Sequence, residues 1–511
     1  MNKRSLLKST GVIGLATAIS RVLGFLRDIV IAVLFGTSPG AQAFFVAFRI
    51  PNSLRDLVAE GATNAAIVPV LTEYKAVKDE REFIHVARVL FNISFVVLLL
   101  ISVIGIIFSP YIVKIIAPGF SAEPEKFNLT VSLNRVIFPY LILIGLTAYS
   151  TGILNTLKHF AGPAFGPCLM NIALIASAIW LCPNIGIVGL AVGVLIGGTL
   201  QLLLNVPFMY KHGVTLSFKD GFMDPAVKRI GRLLVPRALG SAVYQINIFV
   251  DTILASFAWI VGPGGVAALY YANRLFQFPL GIFGLALAQA ALPKLSQEFA
   301  LNDIERFKDT LAFSLRSVVI VMVPATFGLA ILGERIIKIL FERGAFTAYS
   351  TLITQSALFY YSFGLVAYAA VKLLVTSFYS MHDTKTPVKV AFFALIVNVV
   401  LSLILMWPLQ LGGLALATSI SAFFNFTVLY IMLRRKIGDF GTRDIASTLL
   451  RVLAASIIMA SALRWMLLRY PNFSILGLFV IICASLAVFI GSAYLLRVKE
   501  VKGVFAWLRK R

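Results

Sequence analysis

The chain has 511 residues, of which 59% are apolar and only 13% charged, against about 45–50% and about 25% in an ordinary soluble domain. A water-soluble globule of this length cannot hide that much apolar surface, which argues against both a soluble enzyme and a disordered chain. Lysine and arginine outnumber aspartate and glutamate 45 to 22, a formal charge of +23, and where that charge sits decides between a nucleic-acid partner and a membrane.

A helix needs roughly 20 apolar residues to cross the hydrocarbon core. On that length, with glycine, proline and charge as punctuation, the sequence predicts fourteen spans: 9–36, 41–73, 89–112, 128–157, 163–182, 186–210, 233–261, 265–293, 311–333, 351–380, 387–407, 411–433, 446–468 and 474–496. MNKRSLLK and the apolar run after it have the form of a signal peptide. The run is too long for one, however, and Arg21, Arg27 and Asp28 interrupt it, so it is read as the first span. With the N-terminus in the cytoplasm, 30 of the 45 basic residues fall in cytoplasmic segments and 7 in the opposite loops. This alternation places both termini inside and accounts for the charge without nucleic acid. The tail RVKEVKGVFAWLRKR is then a basic cytoplasmic segment against anionic lipid.

Shifted by 225 residues, AFFVAFRI (43–50) falls on ALYYANRL (268–275), Arg49 on Arg274, and Glu73 on Glu298. Shifted by 224, Pro163 falls on Pro387 and GLA at 189–191 on GLA at 413–415. The shift carries span 2 onto span 8 and span 6 onto span 12, an even number of crossings, so the repeats share one orientation. The expected fold is an all-α integral membrane protein. It has two pseudo-symmetric six-helix lobes, 1–212 and 226–436, followed by two extra transmembrane helices and the basic tail over 443–511. Paired lobes of this kind suit alternating access, with the substrate between them.

Ionisable residues inside spans are costly and mark function by default. The bases are Arg21, Arg27, Arg49, Arg55, Arg135, Arg237, Arg274 and Lys372, and the acids are Asp28, Asp56, Glu60 and Asp251. This cationic excess points to a water-filled cavity completed by an anionic substrate. Arg49, Asn52, Asp56 and Glu60 are spaced to line one face of span 2. Asn273, Arg274 and Gln277 lie on span 8, and guanidinium groups fork onto phosphate oxygens. Arg27 and Asp28 are adjacent on a helix, so their side chains are expected to point apart without forming a private pair. Arg237, near a cytoplasmic end, is expected to snorkel.

Asn247 and Asp251 on span 7, Asn398 and Ser402 on span 11, and Thr418 on span 12 form a second polar set. Its oxygen ligands suit a small hard cation such as Na⁺, or else simple helix packing. Cys168, Cys182 and Cys483 have no CxxC spacing, and the four histidines are scattered, so neither a disulfide framework nor a zinc site is expected. No Walker loop, HExxH or nucleophile elbow is present, and no enzymatic activity is expected.

The segments SRVLGFLRD (20–28), FFVAFRIPNSLRDLVAEGATNAAIVPVL (44–71), YYANRLFQFPLGIFGLALAQAALPKLS (270–296), RGAFT (343–347) and DTKTPVK (383–389) resemble the MurJ (MviN) family. These are lipid II flippases of the multidrug/oligosaccharidyl-lipid/polysaccharide exporter superfamily. The resemblance runs along nearly the whole chain. It implies inward-to-outward movement of an undecaprenyl-pyrophosphate-linked disaccharide-pentapeptide across the bacterial inner membrane for peptidoglycan synthesis. It also implies a monomer working beside cell-wall synthesis proteins and a sodium site for cation coupling, while the cationic excess of the cavity predicts that the membrane potential drives the reset. The alternatives are a flippase for another polyprenyl-pyrophosphate-linked glycan, or a cation-coupled multidrug antiporter, for which an acidic, aromatic cavity would be expected.

By the same resemblance the substrate-binding arginines are Arg21, Arg27, Arg55 and Arg274, with Asp28, Asn52 and Glu60 as polar neighbours and Arg49 where relatives carry lysine. A sodium site matches Asp251, Asn398 and Thr418, with Leu414 supplying a backbone carbonyl and Ser402 replacing a carboxylate. The last two helices, about 446–496, imply a groove for the lipid tail. The chain departs from the family pattern at Gln42, Asn273 and Gln277, where acids are expected. The departures leave its cavity more cationic and its cation site weaker.

Overall fold

The computed structural model describes residues 3–55, 66–214, 221–222, 224–470 and 474–502, the side chains of 3–10 and 234–244 excepted. Among these residues the chain forms helices and turns and no strand. It divides into two compact units: Met1–Phe257 with Arg343–Phe346, and Ala258–Glu342 with Thr347–Arg511.

The first unit holds α1 (Lys3–Phe35), α2 (Pro39–Arg55), α3 (Val68–Val77), α4 (Glu80–Ile107), α5 (Ser109–Ile116), α6 (Pro124–Ile137), α7 (Tyr140–Thr156), α8 (Ala161–Trp180), the single turn α9 (Cys182–Ile185), α10 (Val188–Lys211) and α11 (Pro225–Ala255). Its best-defined core joins Val70 and Leu71 of α3, Phe83, Val86 and Leu90 of α4, Tyr149 and Ile153 of α7, Met209 of α10 and Ile230 of α11. In a bilayer apolar side chains gain little by leaving lipid, so helices associate through close packing. α8 and α10 show this directly. A Cβ on Gly193 would stand 2.6 Å from the Ser177 hydroxyl, and one on Gly197 2.5 Å from the Met170 sulfur.

The second unit holds the turn α12 (Ala258–Val261), α13 (Gly265–Pro279), a π-helical stretch at Leu280–Gly284, α14 (Leu285–Ala300), α15 (Ile304–Phe341), α16 (Ala348–Phe363), α17 (Leu365–Ser380), α18 (Lys385–Ile437), α19 (Thr442–Arg469) and α20 (Ile475–Leu495). α18 is broken at Gln410 (φ 51°, ψ −128°), just after Pro408, which separates the eleventh and twelfth expected spans. The two extra helices α19 and α20 are anchored on α15, where Val319 and Val323 pack with Val452, Ala455, Met459, Phe489 and Ala493.

The described helices fall on all fourteen expected stretches. Among the described residues nine are long and apolar enough to cross a membrane, or ten if α16 and α17, bent by 48°, count as one span. Their outward faces are apolar: Leu100, Ile104 and Ile107 of α4 are 56%, 54% and 61% exposed, and Leu476 and Phe479 of α20 are 74% and 66% exposed. Only lipid covers such faces without cost. The chain is a multi-pass membrane protein.

The connection between α15 and α16 groups with the first unit. Ala345 N donates to Val33 O (2.8 Å) at the end of α1. Gly36 and Gly344 make this approach feasible. Both have positive φ, 53° and 60°, and a Cβ on either would meet a backbone oxygen, Ala345 O at 2.2 Å or Val33 O at 2.4 Å.

Candidate functional site

The seven-residue spacing puts Arg21 and Asp28 on one side of α1, but the structure treats them differently. Arg21 is exposed, whereas Arg27 and Asp28 are 8% and 2% exposed. Contrary to the sequence expectation, Arg27 and Asp28 form an ion pair, with Nη2 and Nε donating to Asp28 Oδ1 at 2.7 and 3.0 Å. Their Cβ atoms do diverge around the helix, but an arginine side chain is long enough to curl back to its neighbour, and a buried guanidinium left without a counter-charge would be costly. Asn171 of α8 completes the arrangement. Its Oδ1 accepts from Arg27 Nη1 (3.0 Å), and its Nδ2 donates to Ser20 O (3.0 Å) beside Gly24.

α2 carries Arg49, Asn52 and Arg55, all half-buried. Arg49 Nη1 donates to the hydroxyl of Thr252 on α11, which in turn donates to Ile248 O (2.8 Å). Asp56 and Glu60 lie outside the described residues, as does the side chain of Arg237. Asp251, next to Thr252, has its Oδ1 enclosed with no hydrogen-bond donor among the described residues. Arg135, at the end of α6, is exposed.

In the second unit Arg274 is half-buried on α13. Its Nη2 donates to the Tyr270 hydroxyl (3.1 Å), and its Cζ lies 5.1 Å from the Tyr270 ring centroid. Gln277 donates to Asn273 on the same helix. Lys372 of α17 is exposed. The members of the second polar set that belong to this unit are brought together. Asn398 Nδ2 donates to Thr418 Oγ1 (3.2 Å), Ser402 Oγ to Asn398 Oδ1 (2.9 Å), and Thr418 Oγ1 to Leu414 O (2.9 Å), with Asn398, Ser402 and Thr418 all buried. These oxygens are of the type a hard monovalent cation takes. Among the described residues no group of three or more His, Cys, Asp or Glu is placed to hold a metal ion.

A family model described as lipid II flippase MurJ matches residues 31–485. The chain belongs to the lipid II flippase MurJ family. It is 38% identical over 473 residues to a probable lipid II flippase MurJ of Vibrio cholerae, covering 91% of this chain and 90% of that one. It is also 33% identical over 505 residues to the Rickettsia prowazekii protein of the same description, covering 97% and 98%. A solved lipid II flippase MurJ in an inward closed conformation superposes with a TM-score of 0.82 at 28% identity, covering 95% of this chain and 98% of that one. An inward-facing multidrug MATE transporter of the MOP superfamily shares the fold, with a TM-score of 0.71 at 17% identity, covering 84% and 98%. The family is one of transporters, not enzymes.

Sequence reasoning found the charged residues but not the neutral ones that hold them: Asn171, Thr252 and Tyr270. A lone amide in the apolar run of α8 was the available signal for Asn171. The four-residue spacing on α13 was the signal for Tyr270. Nothing local marks Thr252, whose role depends on a partner 203 positions away.

Outside the spans, Asp383 of the DTKTPVK segment accepts from Lys436 Nζ (2.9 Å) and from the Thr386 amide and hydroxyl (3.0 and 2.9 Å). The Lys436 ammonium chiefly, with Thr386, holds its carboxyl down at about 2.

Proposed function

We propose that the protein is a lipid II flippase of the bacterial cytoplasmic membrane. It carries an undecaprenyl-pyrophosphate-linked disaccharide-pentapeptide from the inner to the outer leaflet by alternating access of two repeated six-helix lobes, with both termini cytoplasmic. The observation that carries this reading is the set of guanidinium groups fixed by polar partners within apolar helices, at Arg27, Arg49 and Arg274, in a chain whose relatives are named lipid II flippases. It acts as a monomer beside cell-wall synthesis proteins.

The obstacle to crossing is the head group. An isolated ionised group costs on the order of tens of kcal/mol in hydrocarbon by Born solvation. Guanidinium groups replace the lost hydration with charge-assisted, bidentate hydrogen bonds, while the polyprenyl tail stays in lipid, guided by α19 and α20. Asp28 neutralises Arg27 in the empty protein. An arriving pyrophosphate takes over that guanidinium, so Arg27 passes from one counter-charge to another without standing alone in a low dielectric.

The cytoplasm is electrically negative, so an anion moves outward downhill by about 2.3 kcal/mol per charge per 100 mV. Arginines that neutralise the cargo make the loaded step nearly electroneutral, and the potential then draws the emptied, cationic carrier back. Asp251, Asn398, Ser402, Thr418 and the Leu414 carbonyl would hold a sodium ion, whose charge would assist the reset. The test is lipid II flipping in proteoliposomes with voltage clamped to zero and the pH and sodium gradients held constant. Turnover should collapse, and unchanged turnover refutes the potential-driven reset.

A further inference from the structure

We infer that Tyr270 is the positioning residue for Arg274 and sets the direction in which that guanidinium meets a pyrophosphate, an inference that rests on the flippase reading above. The two residues are four apart on α13 and so share a face. Two separate contacts fix the arginine. Its Nη2 donates to the phenol oxygen at 3.1 Å, and its Cζ lies 5.1 Å from the ring centroid. Neither contact cancels the positive charge, because a hydroxyl and an aromatic face hold a cation without being anions.

The phenol is itself braced. The Tyr270 ring meets Tyr271 edge-on, with centroids 5.6 Å apart and planes at 79°. Tyr271 is fully buried and packs 5.4 Å from Phe341, also fully buried, at the end of α15. The acceptor oxygen is therefore fixed by the core of the second unit, and an otherwise flexible side chain is held through it.

The consequence is selectivity. A guanidinium binds phosphate best when its forked N–H groups lie in the plane of two acceptor oxygens. An arginine ordered before the ligand arrives does not lose that rotamer freedom on binding. A diphosphate spreads acceptor oxygens over two phosphorus atoms, and a pre-aimed fork can span them. A monophosphate gains less from the same aim. Tyr270 thus favours the pyrophosphate lipid over the monophosphate carrier lipid left when the second phosphate is removed.

The experiment measures binding of undecaprenyl pyrophosphate and of undecaprenyl phosphate to the full-length protein in nanodiscs, for wild type, Tyr270→Phe, Arg274→Lys and the double variant. Tyr270→Phe keeps the ring and its brace and loses only the acceptor, so its thermal midpoint should match the wild type. Pyrophosphate affinity should fall about tenfold and monophosphate affinity less than about threefold. In the Arg274→Lys background, which has no fork to aim, the phenylalanine should add nothing. Unchanged pyrophosphate affinity in Tyr270→Phe, equal losses for both lipids, or the same loss in the lysine background each overturns the positioning role. A wild type that binds neither lipid overturns the flippase reading and this inference with it.

Discussion

Arg49 and Arg274 coincide when the sequence is shifted by 225 residues, yet they are held in different ways. Arg49 is tied across helices to Thr252 of α11, whereas Arg274 is tied to Tyr270 on its own helix. The aim of the first therefore depends on how α2 packs against α11. The second has its hydroxyl partner on α13 itself, four residues away. Arginines at matching positions need not be used symmetrically: one has a hydroxyl partner on a neighbouring helix and the other has one on its own.

The largest effect should come from breaking the member held on its own helix. Arg274→Ala should abolish complementation of a flippase-depleted cell with membrane levels near normal, and Arg274→Lys should rescue poorly because an ammonium cannot fork. Arg49→Lys should retain most activity, since a lysine still donates to a hydroxyl. Equal tolerance of lysine at both positions would erase the proposed distinction.

The next effect concerns α1, which carries Arg27 and ends in the glycine contact with 343–346. Gly344→Ala faces both a left-handed backbone and an oxygen 2.4 Å away, whereas Gly186→Ala has a similar φ of 60° but nothing within 4 Å. Gly344→Ala should cost this docking about 2–4 kcal/mol, whereas Gly186→Ala carries only backbone strain of about 1–3 kcal/mol and leaves the docking untouched. Hydrogen exchange at the Ala345 amide, now donated to Val33 O, should accelerate more than tenfold in the first variant only. Protection that survives in Gly344→Ala would show that the contact is incidental.

A smaller effect is expected at Thr252. Valine preserves shape and removes the acceptor of Arg49, so Thr252→Val should weaken transport about threefold to tenfold. If Thr252 acts only by directing Arg49, Thr252→Val should be silent once Arg49 is already alanine. Additive losses would separate the two residues.

Much of the helical architecture could be read from the sequence because lipid imposes one dominant rule, apolar runs of span length, and the described part of each expected stretch carries helix. Where a helix breaks within its run was harder to see. The π-helical stretch at Leu280–Gly284 and the reversed φ of Gln410 have no periodic signature. Charged site residues stood out against an apolar background, and their partners did not. Asn171 and Thr252 are ordinary small polar residues whose meaning comes only from a partner distant in the chain. The Arg27–Asp28 pair failed the periodicity argument for a related reason. Helical spacing fixes where Cβ points, but side-chain reach and the cost of burial fix where a guanidinium ends.

The smallest effect contrasts that buried pair with the half-buried Asp383–Lys436 pair at the α17–α18 connection. Asp383 is held at about 2, chiefly by Lys436 and also by Thr386. A carboxylate depressed in the folded state contributes stability that is complete above its unfolded value, near 4, and is lost as pH falls through the folded value. Lying at the surface with its lysine open to solvent screening, the pair is worth no more than about 1 kcal/mol. Asp383→Asn should therefore lower the thermal midpoint of the detergent-solubilised protein by no more than about 2 °C at pH 7. The gap between variant and wild type should be the same at pH 5 as at pH 7 and should narrow only below about pH 4. A gap that closes between pH 7 and 5 would mean that Asp383 titrates near neutrality and that Lys436 does not hold it.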